Sequence, residues 1–169
     1  AKKGKSMSDA NPLGNILLYI DGSDNSLVAA RMAIAMSKVY ESNLRVIYVV
    51  NEKLLNELLK AKVFVQMEKM DYERDLEEDG KRYLNYVVKL ADEKGVRVET
   101  VLKKGVVHEE VSREVDEYGA DLVIQGELGE IHSLKDSFYE EGERIVRKAP
   151  CPVMVVRDRD RVERIYDSL

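Results

Sequence analysis

A doubly wound α/β domain on a five-stranded parallel sheet is the fold class this sequence predicts, and three observations predict it. Short apolar runs of strand length recur along the chain, each followed by a segment of helical spacing. The first run, Ile16-Leu-Leu-Tyr-Ile20, is apolar throughout, as a strand covered on both faces must be. It ends in Asp21-Gly-Ser-Asp-Asn-Ser26, a cluster of turn and N-cap residues that feeds a helix.

In chain order, residues 1–14 are small, polar and basic and read as a flexible lead-in, followed by one domain over 15–156 and a charged tail over 157–169. From Asn25 or Ser26 to Tyr40, Leu27, Ala30, Ile34 and Val39 keep helical spacing on an alanine-rich surface able to lie close on a sheet. Leu44–Val50 is a second β-rich run, which completes a βαβ unit. Residues 52–64 read as a mobile or short helical connection. Residues 66–93 read as a long helix with Leu76, Tyr83, Val87 and Leu90 on one face and Gly95 closing it. Met67 and Met70 on that helix read as core filling rather than as a partner-binding face.

Val96–Leu102 alternates as a strand, Val106–Tyr118 is a helix ended by Gly119, and Leu122–Ile124 is a buried fourth strand. Ser137–Lys148 holds a further helix with basic residues near its end. Cys151–Val156 is the fifth strand, with Pro152 near its start where a missing N–H costs least. The tail can form a short helix with Val162, Ile165 and Leu169 turned inward.

Composition narrows function. With 32 acidic against 27 basic residues, the net charge of -5 opposes nucleic acid and anionic membrane as partners. No apolar run approaches the roughly 20 residues a membrane helix requires. Cys151 is the only cysteine, so no internal disulfide forms, and a reducing cytoplasm is the expected location. His108 and His132 lack the spacing of a metal site, so no metal is expected. No catalytic triad can be assigned, and between two prolines Cys151 reads as a buried, inert thiol.

Four segments together resemble the universal stress protein family: Ile16-Leu-Leu-Tyr-Ile-Asp-Gly-Ser23, Arg45-Val-Ile-Tyr-Val-Val50, Gly119-Ala-Asp-Leu-Val-Ile-Gln-Gly126 and Arg144-Ile-Val-Arg-Lys-Ala-Pro-Cys-Pro-Val153. The resemblance implies the strand order 3-2-1-4-5 and a homodimer formed where the last strands meet, with Val153, Val155 and Val156 at the contact. From the residues alone, an apolar final strand at an edge requires only a cover or a partner.

The resemblance also implies a nucleotide site, in which Asp21 contacts the nucleoside, Val49 touches the adenine, and Gly126 and Gly129 begin the phosphate motif. Asp21 equally reads as closing a turn into Gly22 and Ser23. The family motif continues with a third glycine and a hydroxyl, where this chain has Tyr139 and Glu140, followed by Glu141. A bulky side chain replaces an open backbone approach, and acids face a polyphosphate. The site is therefore expected to be degenerate, with no cofactor, and the protein to be a non-catalytic regulatory module acting through an unknown protein partner. Binding of ATP or AMP through an altered loop is the alternative. An ATP pyrophosphatase is disfavoured because the first loop lacks paired glycines, and a phospho-accepting receiver because no Asp ends the third strand.

Overall fold

A computed structural model describes residues 11–61, 66–129 and 141–169, with residues 66 and 67 described by their backbone alone. The expectations placed on Tyr139, Glu140 and His132 lie outside these residues, as does the one placed on the side chain of Met67. The described elements are β1 (Asn15–Ile20), α1 (Asp24–Tyr40), β2 (Asn43–Asn51), α2 (Glu52–Lys60), α3 (Gln66–Asp92), β3 (Val98–Gly105), α4 (Val107–Tyr118), β4 (Leu122–Gly126), α5 (Glu141–Lys148), β5 (Val153–Val156) and α6 (Arg159–Asp167). The strands form one parallel sheet in the order β3-β2-β1-β4-β5, which is the predicted fold class.

Strand alternation divides the core into two layers. Ile16, Leu18, Ile20, Val46, Tyr48, Leu122 and Ile124 face α1, α3 and α6, while Leu17, Tyr19, Ile47, Val49 and Val123 face α4 and α5. On the first side Ala29, Ala30 and Ala33 are fully buried, which lets α1 lie close on the sheet. Gly80 plays the same part in α3, since a Cβ there would run into the Tyr48 ring.

Several boundaries differ from the expectations for local reasons. Helix α1 begins at Asp24 because Ser23 is its N-cap, its hydroxyl accepting from the Ser26 N–H at 3.2 Å. Residues 52–60 form a helix capped by Asn51, whose side chain accepts from the Leu54 N–H. Val96 ends α3 rather than beginning a strand: its N–H returns to the Ala91 carbonyl at 2.9 Å across Gly95, which has φ +71. Residues 11–14 make an ordered turn, with Leu13 packed on the core and the Gly14 carbonyl accepting from the Asn43 N–H at 2.9 Å.

The C-terminal segment joins the first layer. Val162 is 1% exposed, Tyr166 is buried, and the Tyr166 hydroxyl donates to the Leu90 carbonyl at 2.7 Å. Tyr166 thus takes the inward position that spacing gives to Ile165, and Leu169 packs beside it. Among the described residues no helix is long and apolar enough to cross a membrane.

Candidate functional site

Because β1 lies between β2 and β4, the chain leaves the sheet in opposite directions on either side of it, which opens a crevice at the carboxyl ends of these strands. Asp21 and Val49 each lie one residue beyond the Ile20–Tyr48 pair, and Gly126 two beyond the Leu18–Ile124 pair. Asp21, Val49 and Gly126 therefore share one rim.

Local contacts assign each of them structural work. The Asp21 carboxylate accepts from the Ser23 N–H at 2.9 Å, closing a turn in which Gly22 has φ +83 and no room for a Cβ beneath the Tyr83 ring. Val49 is buried in the cluster of Tyr19, Ile47 and Val107. Gly126 lies so close to the first turn of α1 that a Cβ would sit 2.5 Å from the Asn25 carbonyl. The Asn25 side chain then donates to the Glu127 carbonyl at 3.2 Å, tying the β4 exit to α1. Gly129 stands apart: it is exposed, and no described residue lies within 4 Å of a would-be Cβ.

A second group lies on the α4 and α5 side. Helix α4 starts at Val107 with Val106 as N-cap, which offers no side-chain acceptor. Glu141 supplies one from α5. Its Oε2 accepts from the His108 N–H at 3.2 Å and lies 3.0 Å from His108 Nδ1, while Arg144 lies 3.4 Å from its Oε1. Glu141 is only 5% exposed although it opens its own helix. Beside it, Gln125 is 1% exposed; its amide nitrogen donates to the Gly142 carbonyl at 2.9 Å, and its Oε1 has no partner among the described residues.

The Tyr19 phenol ties the two groups together electrostatically. Burial pushes its pKa well above the usual value, and the charges of Asp21 and Glu141 push it further. The phenol therefore stays neutral between two carboxylates. Sequence reading placed Glu141 only as an unfavourable charge; its bond to His108 was hidden by a separation of 33 positions along the chain. Gln125 and Tyr19 gave no signal beyond lying in apolar strands.

Among the described residues no three of His, Cys, Asp and Glu converge on a metal-sized site. Cys151 is half-buried, and burial pushes its thiol pKa up, which disfavours the reactive thiolate.

A sequence model of the universal stress protein family matches residues 12–157. A universal stress protein of Methanocaldococcus jannaschii is 31% identical over 154 residues, covering 84% of this chain and 81% of the relative. A solved structure of another protein of that organism superposes with a TM-score of 0.70 at 21% identity, covering 89% of this chain and 99% of that one. An Archaeoglobus fulgidus universal stress protein solved in complex with dAMP superposes with a TM-score of 0.58 at 14% identity, covering 86% and 98%.

Proposed function

Because the chain belongs to the universal stress protein family, we propose that it is a non-catalytic, cytoplasmic stress-response module, dimeric through its last strand, with a degenerate phosphate-binding motif. The observation that carries this reading is the place of Glu141. The N-terminus of a helix is where a phosphate finds free N–H groups and a favourable dipole. Glu141, in the first turn of α5, brings a buried carboxylate to this end of the helix, held by His108 and Arg144. Two unit charges about 4 Å apart at an effective dielectric of ~20 repel by roughly 4 kcal/mol. Glu143, also in the first turn of α5, adds to this field.

The dimer draws support from the topology. Among the described residues strand β5 is one edge of the sheet, and its outer N–H and C=O groups have no neighbouring strand. Val153 and Val155 are half-buried there, whereas Val156 already belongs to the core beside α1 and α6. Val156 would bring main chain rather than side chain to such a contact, a correction to the expected contact set.

The alternative, an ATP- or AMP-binding switch, is favoured by one feature. Asp21, Val49 and Gly126 share the rim near the unpaired Gln125 Oε1, and an AMP-type nucleotide binds a protein of the same fold. Isothermal titration of nucleotide-stripped protein with ATP and AMP separates the readings. We expect no submillimolar ATP binding. ATP binding at that level, or ATP carried through purification, overturns the degenerate-motif reading.

A further inference from the structure

We propose that the outer face of α3 docks against the α3 of a second copy of this chain, antiparallel, about a two-fold axis crossing the helix at residue 80. Helix α3 has 27 residues and so runs about 40 Å. Its inner face is spent on the core, where Gly80, Leu84, Val87, Leu90 and Ala91 are buried. Along the outer face Asp71, Asp75, Glu78, Arg82, Asn85 and Lys89 are exposed, at intervals of three and four residues that keep them in one stripe.

The stripe is segregated by sign: three acids come first, then Arg82, Asn85 and Lys89. Antiparallel pairing about residue 80 brings Asp71 of one copy to Lys89 of the other, Asp75 to Asn85, and Glu78 to Arg82. Each contact occurs twice by symmetry, as an isologous interface demands. The same register sets Arg74 over Tyr86, a ring that is 41% exposed. A parallel arrangement would place acid on acid and base on base.

The groups are available for this role. Asp75, Glu78 and Lys89 form no ion pair or hydrogen bond among the described residues. Among the described residues Asp71 and Arg74 form an ion pair with each other, and Arg82 pairs with Asp79 and lies over the Tyr83 ring; these contacts stay within α3 and both arginines are exposed, so exchange for a partner across the interface costs little. A groove of about 470 Å³ lined by Glu78, Lys81, Arg82, Asn85, Tyr86 and Lys89 gives side chains of the second copy a place to enter. Helix α3 packs on β2 and β3, at the end of the sheet away from β5, so this contact is independent of any last-strand dimer.

Sedimentation velocity of the full chain tests the proposal. The Asp71→Lys, Glu78→Lys variant makes the stripe basic, and the Arg82→Glu, Lys89→Glu variant makes it acidic. Each alone should associate on the order of tenfold more weakly than the unaltered chain, and mixing the two should restore association, because every repulsive pair becomes attractive. Unaltered protein should also shift to smaller species between about 50 mM and about 500 mM salt. A last-strand dimer persists through all of these changes and sets only the baseline size. Association that is insensitive to salt, or unchanged in the single variants, or not regained on mixing, overturns the proposal.

Discussion

Glu141 does two things at once: its carboxylate accepts from the His108 N–H in the first turn of α4, and it places a buried carboxylate in the first turn of α5. Glu141→Ala should therefore lower stability by about 1–2 kcal/mol, the usual cost of a lost cap, measured by urea unfolding. Glu141→Gln keeps an acceptor for the His108 N–H and should cost less. Equal losses in both variants would mean that charge, not the acceptor, does the work. The glycines give a second contrast. Gly126→Ala drives a Cβ into the Asn25 backbone and should cost roughly 1–3 kcal/mol, whereas Gly129→Ala meets no described residue and should fall within about 0.5 kcal/mol of neutral. A large loss of stability at Gly129 would contradict that placement. Asp21 and Gly126 were legible in the sequence because turn chemistry and strand ends are local. What Gly126 touches was not, because Asn25 lies a hundred residues away in the chain.

At the scale of elements, apolar runs marked every strand and helical periods marked α1, α3 and α4, since these patterns follow from which faces are covered, whereas residues 52–64 read only as a mobile or short helical connection. Boundaries failed where a single backbone bond decides them. The Val96 N–H goes back to Ala91, so a residue with strong β character closes a helix. The Ser23 hydroxyl starts α1 before its first apolar residue. The C-terminal helix was the least legible element, because its alternating charges conceal an inner face of only Val162 and Tyr166, with Leu169 beside it. That face is nevertheless part of the core. Val162→Ala should cost about 2 kcal/mol from lost burial and the cavity left behind. Tyr166→Phe removes the hydroxyl's bonds to the Leu90 carbonyl and the Glu93 carboxylate and should cost about 1–2 kcal/mol. Thermal melts that leave either variant unchanged would show α6 to be peripheral rather than packed.

Across the whole molecule, Tyr19, Tyr48, Tyr118 and Tyr166 stand on both sides of the sheet, and burial raises the pKa of each phenol. Burial, with Asp79 and Asp21 next in effect, pushes Tyr48 up to about 12. Tyr118 is also pushed to about 12, by burial and then Glu99, although the Arg45 guanidinium 4.0 Å from its ring opposes the shift. Burial and the Glu93 carboxylate bring Tyr166 to about 12. An unfolded tyrosine titrates near ~10. Above that pH the unfolded chain loses phenolic protons that the folded chain still holds, so the unfolded state gains relative stability. The contribution of these phenols is complete below pH about 10 and is lost as pH rises towards about 12. The melting temperature should fall steeply across that window, while the tyrosinate absorbance of the folded protein lags behind that of the unfolded protein. Lysines titrate in the same range, so Tyr48→Phe isolates the effect: the variant should lose part of the pH slope while keeping most of its melting temperature at pH 8. An unchanged slope in that variant, with full tyrosinate absorbance appearing near pH 10 in the folded protein, would show the phenols to be solvated and the burial argument wrong.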